Sequence, residues 1–258
     1  MEQKLIKHIV KVGNSAGVLI PKKWLGGTAQ VEIIKKPLNI KKDLMDLLSP
    51  YLNSIMGIYL VGSYARGEEN ESSDIDIIVI SDNLNKEIIS DKYHIFIYPL
   101  DHIKKTLERN PILIYPRIAE AKTILNKSLI EGLIINNLKK ELFNGFLRET
   151  KSILSINKTI LELDKESGDL LTSYQVVYSL ILRLRGLIII KCLLSKENYN
   201  NKFFKIFLNE KIGKNDSRDL YEIYDLVKNK KKVKIKLKIS IVERLLNITK
   251  NELKKYAK

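Results

Sequence analysis

Three short runs of β-branched and aromatic residues, GIYLVGS (57–63), IDIIVIS (75–81) and KYHIFIY (92–98), stand close together. From Lys127 onward the pattern turns helical. A sheet of few strands therefore forms early in the chain, and the second half packs as helices. Between the first two runs lie a Gly-Ser pair, Gly62-Ser63, and five acidic residues from Glu68 to Asp76, with no lysine among them. Any reading of this chain has to account for that acidic insert between apolar strands.

The remaining segments fall around this centre. NIKKDLMDLLSPYLNSI reads as a helix interrupted near Pro50, and NLNKEII and DHIKKTLER read as helices between and after the strands. Residues 1–37 read as short strands, LIKHIVKV, VLIPKKWLGG and QVEII, folded around a GNSAG turn. There Gly13, Asn14 and Gly17 supply the positive-φ positions a tight reversal needs. A unit this small buries little core alone, so it is expected to pair with a second copy as a homodimer or to lean on the rest. Among the helices, LLTSYQVVYSLILRLRGLIIIKCLL is apolar enough to be a central buried one. The expected class is α+β: a β-hairpin unit at 1–37, a small α/β domain with a mixed sheet at 38–126, and an all-α bundle at 127–258.

Composition narrows the partners. The 258 residues are 45% apolar, enough for a core, and carry 45 Lys and Arg against 30 Asp and Glu, a formal charge of +15. A polyanion such as nucleic acid or a nucleotide suits that balance, although a lysine-heavy surface produces it too. No run approaches the ~20 apolar residues of a membrane span. MEQKLIKHIV lacks the apolar core of a signal peptide, so no membrane partner and a cytoplasmic location are expected. One cysteine, Cys192, and three scattered histidines, His8, His94 and His102, do not make a zinc site, so any metal is held by oxygen.

Two residues apart on a strand, side chains share a face. Asp74 and Asp76 are thus expected to project together while Ile75 and Ile77 point into the core. Asp is poorly suited to strands, and two ionised carboxylates side by side are costly unless a cation joins them. Hard oxygen ligands of this kind suit Mg²⁺, which also binds nucleotide phosphates. A strand ending in Gly62-Ser63 at a helix start offers free amides and a hydroxyl to such a phosphate.

Together, Gly62, Ser63, Ala65, Arg66 and Gly67 followed by Ser73, Asp74, Ile75, Asp76 and Ile77 resemble the DNA polymerase β-like nucleotidyltransferase superfamily, above all its minimal prokaryotic members. The resemblance implies that Gly62 and Ser63 bind the triphosphate, with Arg66 as a further phosphate contact. It makes Asp74 and Asp76 the catalytic, metal-binding pair for Mg²⁺, with an NTP, ATP foremost, as substrate. Active members carry a third carboxylate on the next strand, but KYHIFIYPLD has none in its body; Asp91 and Asp101 flank it. KVGNSAGVLIPKKWLGG resembles the AbrB/MazE-like swapped-hairpin domains, which implies dimerisation and DNA contact through Lys11, Lys22 and Lys23. SYQVVYSLILRLRGLIIIKCLL, with Tyr174, Tyr178, Arg183 and Arg185, resembles a helix of the HEPN-like bundles. The nuclease form of that family needs an Arg followed by a His, and no histidine follows His102, so a nuclease is excluded.

Two functions are carried forward. One is transfer of an NMP group from an NTP to a hydroxyl of a protein, RNA or small molecule. The other is a non-catalytic, DNA-binding, antitoxin-like regulator that uses the same fold to bind nucleotide. Lys228 to Lys238, seven lysines without an acid, reads either as a nucleic-acid track or as an edge strand guarded against aggregation.

Overall fold

A computed structural model describes residues 5–32, 38–71 and 73–256. The chain divides into two units, Met1–Asp46 and Leu47–Lys258.

In the first unit, β1 (Ile9–Val12) and β2 (Ser15–Val18) form an antiparallel hairpin with Val12 opposite Ser15. Gly13 has φ +60°, and neither Asn14 nor Gly17 shares a positive φ. A positive φ at the first central position alone is the signature of a type II′ turn, which glycine favours there. Gly17 is demanded by space instead, because a Cβ on it would lie 2.8 Å from Val12 Cγ2. Past the hairpin the chain makes one 3-10 turn, Lys22–Trp24. Of the expected QVEII strand, Gln30 to Glu32 join no strand and the rest lies outside the described residues. A four-residue hairpin offers these residues too little packing to hold a further strand. Helix α1 (Ile40–Leu48) starts where Asn39 Oδ1 accepts the Lys42 amide at 3.2 Å, and it gives way to a 3-10 segment at Ser49–Ser54, containing Pro50.

The second unit starts within α1, at Leu47, and after the 3-10 segment continues with β3 (Ile55–Val61), the short helix α2 (Gly62–Arg66) and β4 (Ile75–Ser81). Next come β5 (Lys86–Ser90), β6 (Tyr93–Pro99), α3 (Leu100–Arg109), α4 (Tyr115–Ala119) and β7 (Lys122–Leu125). The sheet order is β5-β6-β4-β3-β7, with β4 and β6 parallel and every other pair antiparallel. The mixed sheet matches expectation, but two of its strands do not. NLNKEII is not a helix: Lys86 to Ser90 run as an edge strand, turn at Asp91 (φ +50°), and return as β6 between β5 and β4. A hairpin that folds back inside the sheet lets β6 lie parallel to β4 without a crossover helix, and its pairing overrides the weak helical pattern of the segment. β7, four residues long, has too little local signal to be read from sequence. Tyr59, Ile78 and Ile80 on one face of the sheet pack against Ile103 of α3 and Ile118 of α4.

The helical half follows as α5 (Lys127–Glu131), α6 (Asn144–Glu166), α7 (Gln175–Leu194), α8 (Asn201–Ile212), α9 (Lys214–Lys228) and α10 (Ile239–Lys254). α7 is the central helix, as its composition suggested, with Leu180, Leu184 and Leu187 fully buried. Gly186 lets α6 approach, since a Cβ there would run into the Phe146 ring. The spaced tyrosines of this region are anchors with satisfied tips: Tyr174 donates its hydroxyl to the Ile235 carbonyl at 2.8 Å, and Tyr178 stacks on Tyr224 at 5.3 Å. Residues 229–238 are not an edge strand; an isolated bridge between Leu170 and Lys238 is their pairing among the described residues. No described helix is long and apolar enough to cross a membrane.

Candidate active site

β3 and β4 are neighbours, and their register sets Val61 opposite Asp76. The chain leaves β3 at Gly62, so the Gly-Ser turn and the acidic strand meet at one end of the sheet. Gly62 has φ +71°, and a Cβ on it would lie 2.5 Å from Asp76 Oδ2. Only glycine lets the turn fold this tightly against the carboxylate. α2 starts at once and is closed after Arg66 by Gly67, also at φ +71°, with the Glu68 amide donating back to the Ser63 carbonyl at 2.9 Å. The Ser63 side chain, half-buried at the head of this turn, has no hydrogen-bond partner among the described residues.

Ile75 and Ile77 are fully buried, Asp74 is exposed just ahead of β4, and the Asp76 side chain is 35% exposed. Burial pushes the Asp76 carboxyl above its ordinary range; Arg117 and His94 pull it back, Asp74 adds to the rise, and Lys228 lowers it. A half-buried carboxyl raised by burial and by a neighbouring carboxylate is short of positive charge, and a hard divalent cation would relieve that shortage. Mg²⁺ takes one or two protein carboxylates and completes its shell with water and phosphate oxygens, so Asp74 and Asp76 fit it. Among the described residues no three His, Cys, Asp or Glu side chains cluster as a metal site, so neither Asp91 nor Asp101 adds a third ligand to the pair. Asp91 sits in the turn before β6 and Asp101 on the first turn of α3, beyond the other end of that strand.

The place opposite Asp76 on β6 belongs to His94. Its Nδ1 lies 4.0 Å from Asp76 Oδ1, while Nε2 is hydrogen-bonded to Oε1 of Glu87 on β5. Glu87 thus holds the Nε2 side of the ring, and Nδ1 faces the site. From His94 a row of half-exposed rings runs along β6, with His94 to Phe96 at 4.1 Å and Phe96 to Tyr98 stacked at 6.0 Å. The Arg117 guanidinium stands 5.1 Å from the Phe96 ring.

Arg66 turns away from open solvent. Its Nε meets Glu68 Oε2 at 2.7 Å and its Nη1 meets Glu120 Oε2 at 2.7 Å, with the side chain 14% exposed. Glu120 also accepts the Gly62 amide on Oε1 at 2.8 Å. Glu68 in turn accepts the Asn201 amide at 3.0 Å, tying the turn to the start of α8. Lys11, on β1, and Lys22 and Lys23, on the 3-10 turn, are exposed; Lys23 Nζ lies 5.4 Å from the Trp24 ring. Sequence reading missed Glu87, Arg117 and Glu120. No local motif marks them, because sheet register and helix packing bring each to the site from a distant part of the chain.

The Gly62 turn is thus pressed against Asp76 on β4, with Asp74 just ahead of that strand. A family model described as the nucleotidyltransferase domain matches residues 38–141. A relative in Methanocaldococcus jannaschii, provisionally named a protein adenylyltransferase, is 31% identical over 122 residues, covering 44% of this chain and 79% of the relative. The chain belongs to the nucleotidyltransferase family. Two solved structures are similar to it at low identity. One is a nucleotidyltransferase-like protein of Exiguobacterium sibiricum, at 11% identity and TM-score 0.39 over 84% of this chain and 75% of that one. The other is the spectinomycin adenyltransferase AAD(9) of Enterococcus faecialis with ATP and spectinomycin, at 12% identity and TM-score 0.43 over 83% and 96%.

Proposed function

We propose that this protein transfers an NMP group from an NTP, ATP foremost, to the hydroxyl of an acceptor, with Mg²⁺ held by Asp74 and Asp76. The close approach of the Gly62 turn to Asp76 carries this reading, in which the turn binds phosphate beside the carboxylates that would hold the cation. Membership of the family and the adenylyl transfer in the name of the archaeal relative support nucleotide transfer and ATP. Held by Asp74 and Asp76, a divalent cation would supply positive charge against the negative charge of the reacting phosphates.

The chain's own groups do the rest. The Ser63 hydroxyl and the amides of the turn bind phosphate oxygens. Arg66 braces Glu120 and through it the Gly62 amide, so it shapes the turn from behind. Arg117 and Lys228 add positive charge where negative charge gathers. His94 Nδ1 takes the proton of the acceptor hydroxyl, and Glu87 holds the ring and stabilises its charged form, a histidine–carboxylate pair doing the work of a third carboxylate. The acceptor oxygen bonds to the α-phosphorus, the bond from that phosphorus to the bridging oxygen of the β-phosphate breaks, and pyrophosphate leaves with the electron pair.

Incubation with labelled ATP, CTP, GTP and UTP and Mg²⁺, comparing native protein with Asp74→Ala/Asp76→Ala, tests the reading. Label should pass to an acceptor from one nucleotide and stop in the double variant; undiminished transfer by that variant would remove the aspartates from the mechanism.

For the first unit we propose dimerisation and DNA contact. Ile6, Leu19 and Leu25 of this unit are 80%, 67% and 88% exposed, apolar surface that a second hairpin would cover. Lys11→Ala/Lys22→Ala/Lys23→Ala should weaken binding of duplex DNA; unchanged binding would assign any DNA affinity elsewhere.

A further inference from the structure

We infer that the first backbone amide of α8 positions the phosphate turn: Glu68 takes that amide, and through Arg66 and Glu120 the bond fixes the Gly62 amide from the helical half. The inference rests on the nucleotidyl-transfer reading of the site and adds Glu68 and the Asn201 backbone to it as positioning groups.

Glu68 is the first of the five acids between β3 and β4, and its work differs from that of the aspartates. Among the described residues it makes no metal cluster with Asp74 and Asp76. Gly67, at φ +71°, turns the chain as α2 ends, and the Glu68 carboxylate returns to the Arg66 guanidinium. Arg66 then lies between two carboxylates used in the same way. Glu120 accepts the Gly62 amide on one oxygen and Arg66 Nη1 on the other. Glu68 accepts the Asn201 amide on Oε1 at 3.0 Å and Arg66 Nε on Oε2 at 2.7 Å. Arg66 is 14% exposed and both carboxylates 19%, so these charge-assisted bonds are short and little screened.

The far partner comes from 133 residues away. Asn201 opens α8, and an amide in the first turn of a helix has no acceptor inside that helix. Completing the helix start does not depend on Glu68, because Asn200, the N-cap, already accepts the Phe203 amide on its side chain at 2.6 Å. A carboxylate serving α8 alone would leave its second oxygen to water. Here Arg66 takes that oxygen, so the start of α8 and the head of the turn are joined through one guanidinium. The Asn201 side chain stays outside this link, since its Oδ1 accepts the hydroxyl of Tyr199, two residues back, at 3.1 Å. A shift of the start of α8 therefore pulls on Glu68 and, through Arg66, on the carboxylate that aims the Gly62 amide.

The link can be cut at either end. Asn201→Pro removes the donor and keeps the helix, because proline suits the first helical position and Asn200 already has the extended backbone, φ −141° and ψ 154°, that a residue before proline favours. The proline ring takes the place of the amide hydrogen, so Glu68 has to withdraw. Asn201→Ala removes the side chain and retains the amide. Glu68→Ala breaks the same link without touching α8.

Hydrogen exchange of the full chain at amides 62–67 reads the order of the turn, and calorimetry with ATP and Mg²⁺ reads its use. Exchange should quicken in Asn201→Pro and Glu68→Ala, and ATP affinity should fall about tenfold in each, the usual worth of a hydrogen bond to a charged group. Asn201→Ala should match the native protein in both. Since the two changes cut one link, Glu68→Ala/Asn201→Pro should bind ATP no more weakly than Glu68→Ala. Full addition of the two losses, or equal exchange in Asn201→Pro and Asn201→Ala, would overturn the link. Quickened exchange with native ATP affinity would overturn the positioning role and leave a structural tie. A native protein that binds no NTP, while Asn201→Pro still loosens the turn, would overturn the nucleotidyl-transfer reading and uphold the coupling.

Discussion

The Gly62 amide, at the head of the phosphate turn, donates to a carboxylate of its own chain: Glu120 accepts it at 2.8 Å while Arg66 grips the same side chain. Glu120 is therefore a brace. It fixes the direction of the turn before any nucleotide arrives, and the Arg66 guanidinium holds it in place. Glu120→Ala leaves that amide and half of the Arg66 fork without partners, and a lost buried hydrogen bond of this kind costs ~1–3 kcal/mol. The variant should melt at lower urea and show a raised KM for NTP, with Glu120→Gln milder because it retains an acceptor for Gly62. Tighter nucleotide binding by Glu120→Ala would show instead that Glu120 competes with phosphate for the turn.

Gly62→Ala tests the contact on which the site depends. The new Cβ would lie 2.5 Å from Asp76 Oδ2, and φ +71° adds ~1–2 kcal/mol of backbone strain for a residue with a side chain. Nucleotidyl transfer should be abolished and the affinity for Mg²⁺, followed by calorimetry, should fall. Full activity in Gly62→Ala would separate the turn from the carboxylate.

His94 and Glu87 are predicted to act as a unit. His94→Ala should lower kcat by ~10²–10⁴, the usual worth of a positioned general base, with little change in KM. Glu87→Gln should lower kcat in part and alter its pH profile, since the ring then loses the group that fixes its tautomer. His94→Asp restores a carboxylate to the place facing Asp76 and should retain more activity than His94→Ala. Equal rates for His94→Ala and the native protein would leave the acceptor proton to another group.

The strands β3, β4 and β6, the helix break at Pro50 and the central helix α7 were legible because each carries its own periodicity or punctuation. Asp76 stands out in the sequence because its residue type conflicts with β4, which holds it, while Asp74 lies just ahead of that strand. The strand β5 was not, because Lys86 to Ser90 have no strong local preference and pair only once β6 has folded back inside the sheet. The supporting shell was hidden for a related reason. Glu120 reaches Gly62 across 58 residues, so it has no neighbour in sequence to mark it.

Stability at low pH should depend on Asp164, at the end of α6. Its Oδ2 accepts the amides of Thr172 at 3.0 Å and Ser173 at 2.8 Å, and its Oδ1 accepts their hydroxyls, just ahead of α7. Burial opposes the charge, but these four donors, with the helix start behind them, outweigh it and lower the carboxyl below its ordinary range. A carboxyl lowered by folding adds stability that is complete above its unfolded value, near 3.9, and is lost as pH falls through the lower native value. Asp164→Asn keeps one acceptor oxygen but turns an NH₂ towards donors that need a lone pair. It should cost ~1–3 kcal/mol at neutral pH. In urea titrations, the gap between native and variant should close as the pH falls below the ordinary carboxylate range, because the native protein loses its advantage there while the amide does not titrate. A gap that stays constant across that range would mean that Asp164 contributes through packing and not through its charge.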